Sequence, residues 1–323
     1  MLTNKFDSNR IFSYSTYIIL ALILIVFTIG SPNFLNLKNI YTTISNGSPL
    51  IIITCAVTFA LLVGVIDLSV GAIGYAAGCL SGILINDYGV PLMPAFLAGI
   101  ALGLAVGSLN SLLMFKFNMN PMLVSMGMML IIRAVAKIIT DDKTISLGDS
   151  VSGLRQARIA ELDGFPVLLI GVILIVVICS VVLKWTPFGR KLLAVGCNEN
   201  VARNIGINTV RIKTAALIIC GGICGIAGCY WIVTLGSVVT TGLISYEFLA
   251  IAAAVLGGTS LHGGRGTFFP GSSMGALILL FIGSGMAVMG VSPNTIPFVR
   301  GVIIFIAMYI DSLRTKAIMN TVA

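Results

Sequence analysis

Between Asp163 and Lys184 the chain runs for 20 residues without a charged side chain, and apolar stretches of this kind recur along its length. A helix needs about 20 mostly apolar residues to cross the ~30 Å hydrocarbon core of a bilayer. Comparable spans are predicted at 15–30, 49–65, 70–86, 92–115, 121–140, 165–184, 213–233, 247–258, 268–290 and 297–311. Only 9% of the 323 residues are charged, whereas a soluble domain carries about 25%. So few charges cannot cover a water-facing surface. The expected fold is therefore an all-α integral membrane protein with about ten transmembrane helices. Short or Gly/Pro-interrupted segments such as 247–258 often line cavities in transporters.

The formal charge of +8 does not mark a nucleic-acid binder, because the basic residues collect in particular loops instead of on one face. With the N-terminus in the cytoplasm and ten alternating spans, 12 of the 19 basic residues fall inside. These are Lys5, Arg10, Lys116, Lys184, Arg190, Lys191, Arg203, Arg211, Lys213, Arg265, Arg314 and Lys316. Lys38, Lys143, Arg155, Arg158 and Arg300 fall outside, and Arg133 and Lys137 lie within a span. The positive-inside rule then predicts that both termini are cytoplasmic. No small-residue cleavage site follows the first apolar run, so it reads as an uncleaved span.

Two loops are long enough to hold structure. The outer loop 141–164 is acidic and suits contact with a soluble partner, whereas the inner loop 185–212 is basic. Within the inner loop, Glu199 to Ile205 reads as a short helix, with Asn198 as its N-cap and Gly206 as its stop. A shift of 193 positions superimposes Gly64, Leu68, Gly71, Gly78 and Gly82 on Gly257, Leu261, Gly264, Gly271 and Gly275. Such a match suggests an internal repeat of the kind common in transporters. A ten-span count makes the repeats parallel, and a re-entrant segment between them would make them inverted. Gly99, Gly103 and Gly107 form a small-residue stripe for close helix contact, within the subunit or across a dimer. Most of the seven cysteines lie in apolar segments. Cys220, Cys224 and Cys229 sit among small residues and read as packing positions, not metal ligands.

Three motifs are more specific. Gly64-Val65-Ile66-Asp67-Leu68-Ser69-Val70-Gly71 resembles the Gly-x-x-Asp-Leu-Ser-Val-Gly motif of ribose- and galactose-type ABC importer permeases. Gly257-Gly258-Thr259-Ser260-Leu261-His262-Gly263-Gly264-Arg265-Gly266-Thr267 is similar to the Gly-Gly-Thr-Ser-Leu signature of the same family. The stretch from Thr186 to Gly206 and Ile207, with Gly196-Cys197-Asn198-Glu199 and Val201-Ala202 at its centre, resembles the family's cytoplasmic segment. The likeness runs in order from about residue 15 to 314. The chain departs from the family pattern at Cys197, where Gly is usual, at Val201, where Ala is usual, and at Leu249, where a carboxylate is usual.

The resemblance implies one transmembrane permease domain over 1–323, in a bacterial inner or plasma membrane. It also implies a second permease copy or close relative, cytoplasmic ATPase subunits that bind ATP and Mg, and an extracytoplasmic sugar-binding protein. The chain has no Gly-x-x-x-x-Gly-Lys-[Ser/Thr] phosphate loop of its own, and no nucleophile–base pair or metal cluster marks it as an enzyme. Coupling to the ATPase would fall to Asn198, Glu199, Val201, Ala202, Arg203, Gly206 and Ile207. Structural or gating roles would fall to Asp67, Ser69, Gly71, Gly257, Gly258, Ser260, Gly263, Gly264 and Arg265. Asp67 can cap the following helix through Ser69 or Val70, or it can meet substrate, as embedded carboxylates often do. Arg133 can pair with Glu247 or line the pathway. His262, the single histidine, reads as a loop residue beside Arg265. Two other functions stay open: an ion-coupled secondary transporter, and an ABC permease for a nucleoside, amino acid or sugar-derived signal.

Overall fold

The computed structural model describes residues 4–159, 164–292, 294–303, 305, 306 and 309. The basic residues Arg314 and Lys316, the acidic Glu161 and Asp163, and the end of the tenth predicted span lie outside the described residues. The chain is built of α1 (Asn4–Gly30), α2 (Leu37–Leu62), α3 (Val70–Asn86), α4 (Leu92–Ser111), α5 (Pro121–Ile139), α6 (Ser152–Gln156), α7 (Val167–Trp185), α8 (Pro187–Cys197), α9 (Glu199–Asn204), α10 (Thr209–Leu235), α11 (Tyr246–Leu256) and α12 (Ser273–Val288). A further helix begins at 295. Six helical stretches among the described residues are long and apolar enough to cross a membrane, and α3 and α11 are shorter apolar helices.

The lipid-facing wall is legible from exposure. On α7, Ile170, Ile173, Leu174, Val177, Ile178 and Val181 are all exposed, and α5 does the same with Leu123, Leu130, Ile131, Val135 and Ile138. In water such faces would drive aggregation; in a bilayer they contact acyl chains. The interior is assembled on α10, which packs most extensively on α4, α2 and α3. The α4–α10 contact is backbone on backbone. Gly103 and Gly221 each face the other's carbonyl, and a Cβ on Gly225 would come within 2.8 Å of the Ile100 Cα. The stripe therefore packs within the subunit: Gly103 and Gly107 face the Gly-rich helix that carries Cys220 and Cys224, and Gly99 faces Ala77 and Ser81 of α3. Such contact lets dispersion act between main chains without a hydrophobic driving force.

Several sequence boundaries need correction. α2 begins at Leu37, not near residue 49, because the Asn36 side chain accepts a hydrogen bond from the Lys38 N–H and caps it. Pro49 is accommodated inside the helix. The inner loop 185–212 holds two helices, not one. Thr186 caps α8 by accepting from the Gly189 N–H at 3.2 Å, and Pro187 occupies its first turn, a favoured N-terminal pairing. The outer loop 141–164 carries α6 and short strands: β1 (Ile145–Ser146) pairs with β4 (Ser237–Val238), and β2 (Arg158–Ile159) pairs with β3 (Phe165–Pro166), both antiparallel.

The repeat also changes register. At the exit of α2, Gly64 donates to Leu61 C=O and Val65 donates to Ala60 C=O, with Gly64 at φ +73°. At the exit of α11, Gly258 donates to Val255 C=O and Thr259 donates to Ala254 C=O, with Gly258 at φ +89°. Both are left-handed glycine caps of the Schellman type, and they pair Gly64 with Gly258, one position later than the residue matches suggest. Beyond these exits the segments diverge, since α3 starts at Val70 whereas α12 starts only at Ser273.

Candidate functional site

The two glycine-capped exits meet at one end of the bundle. Gly264 N–H donates to Leu62 C=O at 3.0 Å. Thr58, near the end of α2, donates to Ser272 Oγ at 2.7 Å, and Thr259, just past the end of α11, shares that hydroxyl at 3.1 Å. α2 and α11 thus run the same way and finish side by side. Ser260 stabilises the second loop from within: its N–H donates to Arg265 C=O at 2.9 Å, and its Oγ accepts from His262 N–H at 3.2 Å. His262 and Arg265 are exposed on the outside of this loop. The end of α8 closes the junction. Gly196 leaves no room for a side chain between Leu62 C=O and Gly264 N, and the Cys197 thiol donates to Gly264 C=O at 3.4 Å. Gly257 is pressed on Gly271 and Ser272 in the same cluster.

α9 projects from this end. Asn198 Oδ1 accepts from Val201 N–H at 3.1 Å and caps it, and Gly206, at φ +83°, ends it with Ile207 N–H returning to Ala202 C=O. Ala202 is buried, whereas Val201, Arg203 and Ile205 are exposed. Glu199 ties the short helix to α10 through Lys213 and pairs with Arg203 at 3.5 Å. The hydrogen bond from Lys213 holds the Glu199 carboxyl below its ordinary pKa. Lys213 also lies 5.8 Å from the Phe115 ring at the end of α4.

Deeper in the bundle, Asp67 lies on the extended stretch between α2 and α3. Its Oδ1 accepts from both the Ser69 N–H, at 2.8 Å, and the Ser69 hydroxyl, at 2.6 Å. Asn110 of α4 donates to the same hydroxyl at 2.9 Å. All three residues are buried. Asn110 was not singled out from the sequence, though an amide in an otherwise apolar helix is a signal for a buried polar contact. Gly71, the last residue of the first motif, faces Glu247, and a Cβ there would sit 3.1 Å from Leu243 C=O.

That approach leads to the second polar cluster. Arg133 on α5 donates to Leu243 C=O at 2.7 Å and Gly242 C=O at 3.1 Å, and it pairs with Glu247 at 3.4 Å. Its guanidinium stands 5.8 Å from the Tyr75 ring of α3. Residues 239–245, which lead into α11, are not helical. Irregular backbone at membrane depth is tolerated only where protein or water satisfies it, and Arg133 supplies donors for two of its carbonyls. The first motif, the Arg133–Glu247 pair and the start of α11 thus form one connected assembly. Leu249, where a carboxylate was missed, is buried on α11. Among the described residues no group of three or more His, Cys, Asp and Glu is placed to hold a metal ion.

A helical bundle with six described spans long and apolar enough to cross a bilayer, embedded polar clusters and broken helices marks an integral membrane protein. Residues 39–308 match the family model described as the branched-chain amino acid transport system / permease component, and the chain belongs to that permease family. Ribose import permease protein RbsC of Escherichia coli K12 is 32% identical over 309 residues, covering 91% of each chain. RbsC of Bacillus subtilis 168 is 34% identical over 293 residues, covering 90% of each. The L-arabinose transport system permease protein AraH of E. coli K12 is 31% identical over 326 residues, covering 97% of this chain and 95% of the relative. No solved structure matches the chain.

Proposed function

We propose that the chain forms the translocation pathway of an ATP-driven importer for a monosaccharide, with the ribose and arabinose systems as chemical guides. The observation that carries this reading is end-to-end similarity, above 30% and covering at least nine-tenths of both chains, to permeases named for those sugars. In this reading the chain crosses the membrane ten times with both termini in the cytoplasm, and it assembles with a second permease copy. The junction of α8, α9 and the two glycine-capped loops then faces the cytoplasm. Val201 and Ile205 would seat in an ATPase subunit that binds ATP and Mg. The Glu199–Lys213 link would pass its movement to α10. An extracytoplasmic binding protein would dock on the opposite end, around α6 and the short strands.

Affinity purification from a mild detergent extract of the native host tests the assembly. The expected partners are an ATPase subunit carrying a phosphate-loop motif and a sugar-binding protein. Recovery of the chain without an ATPase, together with ATP-independent uptake in vesicles, would overturn the reading in favour of an ion-coupled transporter.

A further inference from the structure

At the end of the bundle opposite α8 and α9 lies a cavity of about 380 Å³ lined by Thr42, Ser45 and Asn46 of α2, Arg155 and Gln156 of α6, Arg158 of β2 and Thr234 of α10. We infer that this cavity is a vestibular binding site for a neutral polyhydroxylated solute, the first place on the permease where the sugar rests. The inference rests on the importer reading and extends it to a set of residues that no motif covers.

Three observations point to it. The first is a polar stripe along α2, where Asn39, Thr42, Thr43 and Asn46 recur at helical spacing and only part of it is paired. Asn39 and Thr43 are engaged by Ser284 of α12, at 3.3 and 2.8 Å, whereas Thr42, Ser45 and Asn46 turn to the cavity. Asn46 lies nine residues beyond the start of α2, about 14 Å down its axis. Its amide is exposed and would be costly against lipid, which favours water or a polar partner at this face. The second is that the opposite wall is firmly placed. Arg155 is tied to the end of α10 by donating to Leu235 C=O at 3.3 Å. The strand bearing Arg158 is pinned to α2 through Phe165, whose ring meets Tyr41 edge-on at 5.5 Å.

The third is the chemistry of the lining. Small-molecule sites are usually mostly apolar and about 300–1,000 Å³. This one has the size, but hydroxyl, amide and guanidinium groups dominate its walls. Hydroxyls and amides both donate and accept, which matches sugar hydroxyls that do the same. The two guanidiniums, Arg155 and Arg158, would also answer an anion, so inorganic phosphate is the competitor that the test must set against sugar. A cation finds no carboxylate among the lining residues.

The test is cysteine protection in intact cells expressing the whole transporter. Ser45→Cys and Asn46→Cys are labelled with a membrane-impermeant thiol reagent from outside, and the exposed native Cys197 lies at the other end of the bundle. Labelling is repeated with a panel of pentoses and hexoses and, separately, with inorganic phosphate. The expected result is rapid labelling that slows about tenfold when one sugar is present at ten times its dissociation constant, with no effect of phosphate. Asn46→Leu should raise the transport KM about threefold to tenfold, the worth of one hydrogen bond, with kcat and co-purification of the partner subunits unchanged. Failure to label would show that lipid or a second subunit covers this face, and would overturn the inference. Protection by phosphate instead of sugar would overturn the solute class. Uptake of the same panel by the parent protein is measured alongside: sugar uptake without protection removes the vestibular site alone, and absence of sugar uptake removes the importer reading.

Discussion

Replacing Arg133 with Met should destabilise the folded permease by about 3–5 kcal/mol, the usual cost of removing one partner from a buried ion pair. The figure follows from local geometry. The Arg133 and Glu247 side chains are 18% and 5% exposed, so the orphaned carboxylate would have little access to water. Gly242 C=O and Leu243 C=O would each lose a donor at the same time, at about 1–3 kcal/mol for a carbonyl left unsatisfied. Glu247→Met should cost less, about 1–3 kcal/mol, because Arg133 keeps Gly242 and Leu243 as acceptors. The double variant leaves no buried charge, so its cost should fall short of the sum of the singles by about 1–3 kcal/mol. Unfolding by titration of denaturing detergent in bicelles, followed by circular dichroism, measures all three. Trp231, whose ring lies 5.8 Å from Tyr75 beside Arg133, provides a local fluorescence signal. Additivity within about 0.5 kcal/mol would refute the claim that these two charges stabilise the start of α11 together.

Gly103→Val should force α4 off α10, costing about 1–3 kcal/mol or more and lowering the yield of monodisperse protein in size-exclusion chromatography. Gly127→Ala, where nothing lies within 4 Å, should leave that yield unchanged. The folded pKa of Glu199 lies below its ordinary value of 4.5, so its link to Lys213 should stabilise α9 above that value and be lost as pH falls through the folded pKa. Protease nicking of 198–208 should rise with acid in the parent and lose that pH dependence in Lys213→Met. Asn198→Ala should weaken α9 by about 1 kcal/mol; on the importer reading this appears as reduced transport-stimulated ATP hydrolysis with normal membrane insertion. Gly196→Ala should interrupt the Leu62–Gly264 bond and abolish uptake, while subunit co-purification reports whether assembly survives.

Spans whose apolar runs are continuous were legible almost to the residue: α3, α4, α5 and α7 begin within about two residues of where hydropathy places them, well inside ordinary boundary scatter. The first third of α2 was not, because Thr42, Thr43, Ser45, Asn46 and Ser48 make it look like a loop. Only the fold shows that some of these hydroxyls and amides bond to α12 and others border a cavity. The α8 helix was announced by Thr186 and Pro187 and by an apolar period through Phe188, Leu192 and Val195, but it is too short to register as a membrane span. The repeat was seen by residue identity, which aligned Gly64 with Gly257, whereas backbone conformation selects Gly258. Asn110 could not be placed from sequence because its partner Ser69 lies 41 positions away. The Arg133–Glu247 pairing was accessible because an embedded charge calls for an opposite one.

The shortness of α11 also bears on how the protein is made. Its 11 residues extend about 16 Å, roughly half of what a lone segment needs to settle across the hydrocarbon core. The irregular stretch before it relies in part on Arg133, which lies more than a hundred residues earlier and donates to Gly242 C=O and Leu243 C=O. As the chain emerges from the ribosome, α11 therefore has no stable place of its own. Its place depends on α3 and α5, made earlier, and on α12, made later, which pack around it. The central half-helix therefore depends on partners drawn from both halves of the chain, with the buried arginine as one of them.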